Sequence, residues 1–185
     1  MKEKLKKQLK NIPNIISCIR IALVFVFEIF FINSMYFHGL VTYGIAFLSD
    51  LLDGYLARRF NWVSDVGKLL DPFADKLMLV SALVCFAVQG IIPMWILILA
   101  GTKEVVMCVC GIILYNRGTV VQANFIGKLS TGLWTLAIVA NILAAIYPSL
   151  SKAAGILIIV AAIFAVGTGF SYAIKYFIGK NKEKA

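Results

Sequence analysis

Four aspartates at helical spacings are the residues of this chain best suited to chemistry. Asp50 and Asp53 are three residues apart, and Asp71 and Asp75 are four apart. On a helix, each of these spacings places both side chains on one face. Mg²⁺ prefers a few carboxylate oxygens plus substrate phosphates, and two metal ions about 4 Å apart can stabilise the attacking and leaving oxygens of a phosphoryl transfer. Two aspartate pairs on neighbouring helices therefore predict a two-metal site for phosphoryl transfer.

The composition predicts that these helices lie in a membrane. Of the 185 residues, 61% are hydrophobic and the mean hydropathy is +0.91, whereas soluble domains average about 45–50% apolar residues. A transmembrane helix needs about 20 apolar residues. We therefore predict an all-α integral membrane protein with six transmembrane helices, which cover residues 14–33, 38–57, 69–88, 92–114, 126–147 and 152–174.

The predicted spans divide the chain into three parts. Residues 1–12 are basic and are interpreted either as an amphipathic helix at the membrane interface or as a solvated tail. Residues 13–178 form one six-helix transmembrane domain, and residues 179–185 form a basic cytoplasmic tail.

Lysine and arginine are concentrated at the N-terminus, at the C-terminus and in alternate loops. Cytoplasmic loops are the ones enriched in these residues, so both termini and the active site are predicted to be cytoplasmic, in a multi-pass protein of the cell (inner) membrane. The formal net charge is +9. Because the basic residues flank hydrophobic spans and include no base-stacking aromatic set, they indicate contact with membrane lipid and no nucleic-acid partner.

The aspartates belong to a longer string of fixed spacing, Asp50-x2-Asp53-Gly54-x2-Ala57-Arg58-x8-Gly67-x3-Asp71-x3-Asp75. It resembles, without a mismatch, the D-x2-D-G-x2-A-R-x8-G-x3-D-x3-D motif of the CDP-alcohol phosphatidyltransferase family. The resemblance implies transfer of a phosphatidyl group from CDP-diacylglycerol to an alcohol, with release of CMP. It also implies two Mg²⁺ or Mn²⁺ ions bound by the four aspartates, with Asp75 as the general base.

The same resemblance implies a surface for the cytidine diphosphate group. The residues at its matching positions are Asp53, Gly54, Ala57, Arg58, Ser64 and Gly67. Without the family, the small residues would be read as helix-packing positions. Likewise, the aspartates could be neutralised by nearby basic side chains instead of metal ions, namely Arg58, Arg59, Lys68 and Lys76.

Segments outside the motif bear on the acceptor alcohol. The run from Asn11 to Arg20 resembles an N-x-P-N-x-[IL]-[ST]-x-x-R opening that bacterial phosphatidylglycerophosphate synthases and cardiolipin synthases share. Residues 118–123 and 127–131 resemble the glycerophosphate branch more closely, although Ser130 replaces a lysine there. Glycerol 3-phosphate is therefore the predicted acceptor. Phosphatidylglycerol, inositol phosphate and serine are the alternatives.

Several polar residues could bind the acceptor or a lipid head group. They are Asn14, Ser17, Arg20, Arg59, Lys103, Arg117 and Lys128. Each basic one could instead be a topology anchor whose charge reaches the interface, and this reading is favoured for Arg117. Lys103 and Glu104, which stand where the glycerophosphate branch has R-E, either pair with polar groups in the core or line the acceptor cavity.

Two further hypotheses concern function and assembly. A divalent-cation transporter or a scaffold protein could carry intramembrane acids, but neither explains the glycines, alanine and arginine at these spacings. The family commonly forms homodimers, and the resemblance implies one here.

Overall fold

The computed structural model describes residues 12–60, 65–116 and 125–182, and every regular element in these ranges is helical. Six long helices follow one another along the chain, with a short 3₁₀ helix at Pro148–Leu150 before the last. They are α1 (Ile12–Ile32), α2 (Tyr36–Phe60), α3 (Asp65–Val88), α4 (Met94–Asn116), α5 (Phe125–Ile146) and α6 (Ser151–Lys182).

Prolines and left-handed residues mark the helix boundaries. Pro13 lies in the first turn of α1, and Pro93 directly precedes α4. Proline is tolerated there because the first N–H groups of a helix have no intrahelical acceptor. Ser34, in the turn between α1 and α2, has φ 61°, and Gly90, two residues after α3, has φ 70°. Both residues lie outside the helices and have the left-handed backbone conformation.

Each of the six predicted segments overlaps one observed helix, so the all-α prediction is confirmed for the described residues. The last helix is longer than predicted, because α6 continues to Lys182 through most of the predicted tail. The predicted N-terminal arm lies outside the described residues, apart from Ile12 at the start of α1.

Among the described residues, three segments are long and apolar enough to cross a membrane, namely Asn14–Ile32, Leu129–Ile146 and Pro148–Gly169. Many large apolar side chains on the helices are exposed, among them Phe37 at 65% and Ile163 at 68%. Such side chains suit contact with lipid tails. Helices α2 and α3 carry the four aspartates, which lower their hydropathy.

The helices form two compact units, one ending at Gln89 and the other beginning at Gly90. In the first unit, α1 packs against both α2 and α3. Aromatic rings fill the core at one end: the centroids of Phe27 and Tyr43 are 5.6 Å apart, and those of Phe31 and Phe86 are 5.2 Å apart. Because lipid tails are as apolar as these rings, the contacts stabilise the unit mainly through close packing.

A glutamine side chain links the helices at this aromatic end by hydrogen bonds. The Nε2 atom of Gln89 donates hydrogen bonds to the carbonyl oxygens of Phe31 (2.9 Å) and Ile32 (3.2 Å), and its Oε1 accepts one from Tyr36 Oη (2.9 Å). The last carbonyls of a helix have no intrahelical donor. Gln89 therefore satisfies the end of α1 and ties α1, α2 and α3 together.

In the second unit, α6 packs against both α4 and α5. Asn141 on α5 is buried, and its Nδ2 donates to the carbonyl oxygens of Ala137 (2.8 Å) and Ala154 (3.2 Å). The bond to Ala154 links α5 to α6 across the 3₁₀ turn.

Candidate active site

Two polar side chains of α1 begin the site. Ser17 and Arg20 are three residues apart, so they share one face of the helix, and both are 0% exposed. A buried charge in an apolar helix is costly unless it is paired. Arg20 must therefore have acidic partners on the helices that α1 contacts.

The partners of Arg20 are three of the four aspartates. Its Nη1 lies 2.8 Å from Oδ1 of Asp50 and 2.8 Å from Oδ1 of Asp75. Its Nη2 donates a hydrogen bond to Oδ2 of Asp53. Asp50 and Asp53 belong to α2 and Asp75 to α3, so one guanidinium group connects three helices. In the described part of the chain, Arg20 Nε has no hydrogen-bond partner.

Ser17 connects the fourth aspartate to the same cluster. Its hydroxyl oxygen lies 2.6 Å from Oδ1 of Asp71 on α3 and 3.3 Å from Oδ2 of Asp53 on α2. Ser17 and Arg20 together thus contact one oxygen of each of the four aspartates. We call these six residues the aspartate cluster.

The local sequence explains why the cluster forms here. The three-residue spacing on α2 and the four-residue spacing on α3 keep each aspartate pair on one helix face. Pro72 lies within α3, directly after Asp71. Having no N–H, it leaves the carbonyl of Lys68 without its usual helical partner. The spacings within the motif thus turn both aspartate pairs toward α1.

Exposure differs strongly within the cluster. The side chain of Asp53 is 2% exposed, that of Asp50 is 35% exposed and that of Asp75 is 50% exposed. Arg20 and Ser17 close the site on the inner side. Asp75 is therefore the most exposed of the three aspartates that Arg20 contacts.

The donor set suits a hard divalent cation, because Mg²⁺ binds carboxylate oxygens. Arg20 carries one positive charge, whereas the four aspartates would carry four negative charges when ionised. In the conformation described, no group of three or more acidic, histidine or cysteine residues among the described ones is arranged to hold a metal ion. The four carboxylates suit Mg²⁺ by their chemistry, but in this conformation they contact Ser17 and Arg20.

The other predicted nucleotide residues are described only in part. Gly54 lies on α2 directly after Asp53 and is partly exposed. Ala57 and Arg58 lie on α2 and Gly67 on α3, with side chains that fall outside the described part, and Ser64 lies outside the described residues altogether. Their predicted roles stay predictions.

The predicted acceptor residues are not all brought together. Asn14 is partly exposed on α1, one turn before Ser17, and Arg59 is exposed near the end of α2. Lys103 belongs to the second unit, where its Nζ lies 2.7 Å from Oε1 of the buried Glu104. Arg117 and the side chain of Lys128 fall outside the described part.

The sequence that forms this site matches a known protein family. Residues 10–167 match the profile of the CDP-alcohol phosphatidyltransferases, and this range includes every residue of the aspartate cluster. The chain belongs to the CDP-alcohol phosphatidyltransferase family. It is therefore a phosphatidyltransferase by family, and the four aspartates of its motif meet Ser17 and Arg20 of α1 in the first unit.

Individual relatives of this phosphatidyltransferase have two kinds of name. A CDP-diacylglycerol–glycerol-3-phosphate 3-phosphatidyltransferase of Bacillus subtilis is 32% identical over 148 residues, which cover 72% of this chain and 77% of the relative. A probable phosphatidylglycerophosphate synthase of Mycobacterium tuberculosis is 31% identical over 173 residues, covering 90% and 82%. A CMP-forming cardiolipin synthase of Streptomyces coelicolor is 37% identical over 129 residues, covering 65% and 60%.

Sequence reasoning included Ser17 and Arg20 only as acceptor candidates and missed their contacts with the aspartates. A signal was present, because an arginine inside an apolar span requires an acidic partner. Asp50, Asp53, Asp71 and Asp75 were the acids within reach of a neighbouring helix. The acceptor role of Ser17 and Arg20 stays a prediction beside these contacts.

Proposed function

We propose that this chain transfers a phosphatidyl group from CDP-diacylglycerol to glycerol 3-phosphate, giving phosphatidylglycerophosphate and CMP. The observation that carries the proposal is the aspartate cluster, in which four carboxylates from α2 and α3 meet on one face of α1 in a chain of this family. The names of the relatives from Bacillus subtilis and Mycobacterium tuberculosis support glycerol 3-phosphate as the acceptor.

In the proposed reaction, a hydroxyl oxygen of glycerol 3-phosphate attacks the phosphorus of the phosphatidyl group. A new P–O bond forms, the P–O bond to the CMP phosphate breaks, and CMP leaves with the electron pair. The hydroxyl proton passes to Asp75, the more exposed of the aspartates that Arg20 contacts. The contact from Arg20 to Oδ1 would orient the Asp75 carboxylate for this step.

Two Mg²⁺ or Mn²⁺ ions complete the proposed site. The four aspartates would hold these ions through their carboxylate oxygens. Bound metal ions would stabilise the negative charge that develops on the attacking and leaving oxygens. Asp53, enclosed between α1 and α2, would hold its carboxylate in a fixed orientation.

The donor substrate is proposed to bind beside this cluster. Gly54 has no side chain to block a phosphate approaching α2, and Arg58 supplies the charge that would neutralise the diphosphate. Ala57, Ser64 and Gly67 complete the proposed nucleotide surface. Asn14, Arg59, Lys103, Arg117 and Lys128 remain candidates for binding the acceptor or lipid head groups.

A second candidate function uses phosphatidylglycerol as the acceptor and produces cardiolipin. The relative from Streptomyces coelicolor, 37% identical over 129 residues, favours it. The same cluster would perform the same displacement, because only the source of the attacking hydroxyl differs. The two functions are separated by the acceptor and not by the chemistry.

We also propose a membrane arrangement. Helices α1 to α6 would each cross the bilayer of the inner membrane, with both termini and the aspartate cluster on the cytoplasmic side, as the positions of lysine and arginine favour. Residues 1–12 would lie along the membrane surface, and two chains would form a homodimer. Accessibility of single introduced cysteines to an impermeant thiol reagent tests the topology, and cross-linking in native membranes tests the dimer.

The experiment that tests the function is CMP release by the purified protein with CDP-diacylglycerol and Mg²⁺. Parallel reactions contain glycerol 3-phosphate, phosphatidylglycerol, inositol phosphate or serine. Release with glycerol 3-phosphate alone is the expected result. Release only with phosphatidylglycerol would replace the proposed acceptor and support the second function.

A further inference from the structure

Helix α1 contacts all four aspartates of the cluster. Ser17 contacts Asp53 and Asp71, and Arg20 contacts Asp50, Asp53 and Asp75, so no aspartate of the cluster lacks a contact from α1. Both side chains are fully buried. Ser17, Arg20 and Asp53 thus lie in the interior of the unit, whereas Asp50 and Asp75 extend toward its surface.

We propose that Arg20 is a permanent cation of the site, which together with Ser17 holds the four aspartates in place when no metal is bound. Arg20 would then be a positioning residue that acts through the aspartates. This inference rests on the proposed metal-dependent transfer and deepens it, because it assigns α1 the task of organising the metal ligands.

The chemistry of arginine fits this role. Its guanidinium group is planar, remains charged and presents several donors in a fixed fork. Here Nη1 serves Asp50 and Asp75 while Nη2 serves Asp53. The ammonium group of a lysine is a single point charge, which cannot reproduce this fork across carboxylates of two helices.

The proposed role of Arg20 follows from the charge balance of the aspartate cluster. Four carboxylates that share contacts with two side chains repel one another, and burial strengthens the repulsion because the local dielectric constant is low. The guanidinium opposes this repulsion at all times, whereas metal ions do so only when bound. The protein therefore keeps its ligands assembled before metal and substrate arrive, which lowers the cost of organising the site.

The test is thermal unfolding of the purified full-length protein in detergent, without substrate, in EDTA and in MgCl₂. For Arg20→Met we expect the melting temperature in EDTA to fall by on the order of 10 °C, since removing one partner leaves buried charges uncompensated. Mg²⁺ should restore most of this loss, because it supplies positive charge at the same carboxylates. Wild type should gain much less from Mg²⁺ than the variant does.

A double variant and a matched control sharpen the test. Arg20→Met combined with Asp53→Asn removes one carboxylate with the arginine and should melt in EDTA closer to wild type than Arg20→Met alone. Lys152→Met removes an exposed positive charge in the second unit and should change neither melting temperature. If Arg20→Met does not yield folded protein, Ser17→Ala and Arg20→Lys carry the same comparison, with smaller losses in EDTA that Mg²⁺ restores.

Two results would overturn the proposal. One is an Arg20→Met protein as stable as wild type in EDTA, and the other is an equal loss in EDTA and Mg²⁺, which would indicate packing alone. Because no substrate is present, these results are independent of the CMP-release assay. A wild-type protein that releases no CMP would remove the proposed function, whereas the unfolding data judge the role of Arg20.

Discussion

The Nη1 atom of Arg20 lies 2.8 Å from Oδ1 of Asp75, a residue 55 positions further along the chain. The contact joins the buried face of α1 to the most exposed of the three aspartates that Arg20 pairs with. One oxygen of Asp75 is thereby held against Arg20, while half of the side chain remains exposed. This relationship makes Asp75 both well oriented and accessible, as a proton acceptor must be.

Replacing Asp75 with asparagine removes the proposed base while preserving the shape of the side chain. We expect the rate of CMP release to fall by about 10²–10⁴-fold, the usual contribution of general base catalysis. The melting temperature should change little, because half of this side chain is exposed. Glu28→Gln on α1 is the matched control for loss of an acid, and near-normal turnover by Asp75→Asn would contradict the assigned role.

Substituting lysine for Arg20 separates positioning from acceptor binding. If Arg20 positions the aspartates, kcat should fall by roughly tenfold or more, while KM for glycerol 3-phosphate stays within about twofold. The measurement is a set of steady-state CMP-release rates at varied glycerol 3-phosphate. A large rise in KM with kcat unchanged would instead support the prediction from the sequence that Arg20 binds the acceptor.

Removal of divalent ions tests whether the four aspartates act through bound metal ions. Treatment with EDTA should lower CMP release by at least about a hundredfold, because charge on the attacking and leaving oxygens is no longer stabilised. Added Mg²⁺ should restore the rate, and Mn²⁺ should do the same. Full activity after exhaustive chelation would rule out the proposed metal dependence.

The aromatic end of the first unit provides a test of stability without chemistry. Gln89→Ala removes the donor to the carbonyls of Phe31 and Ile32 and the acceptor for Tyr36, so the free energy of unfolding should fall by about 1–3 kcal/mol. Tyr36→Phe removes one of these bonds and should cost less. Thermal unfolding measures the stability of both variants. An unchanged melting temperature for Gln89→Ala would show that the hydrogen bonds of Gln89 do not stabilise the unit.

The helices and the grouping of the aspartates could be predicted from sequence, because both depend on short-range periodicity. Runs of apolar residues indicate helices near their observed positions, and spacings of three and four residues place Asp50 with Asp53 and Asp71 with Asp75. The end of α6 was predicted too early. The hydropathy pattern marks only the apolar part of the helix, whereas α6 continues as a helix to Lys182.

The role of α1 could not be predicted in the same way. The sequence indicates that Arg20 needs acidic partners, but the choice of partners depends on which helices pack together. Here α1 lies against both α2 and α3, so Arg20 and Ser17 reach residues 30 to 55 positions away. Such long-range contacts have no periodic signature in a single sequence.

The most direct test of the account follows CMP and lipid product together. Purified wild-type protein and Asp75→Asn would be given CDP-diacylglycerol, Mg²⁺ and labelled glycerol 3-phosphate. We predict that the wild type releases one CMP for each labelled glycerol phosphate transferred to lipid, while Asp75→Asn does neither at a comparable rate. Absence of CMP and labelled lipid with the wild type, or equal rates for both proteins, would contradict phosphatidyl transfer at the aspartate cluster.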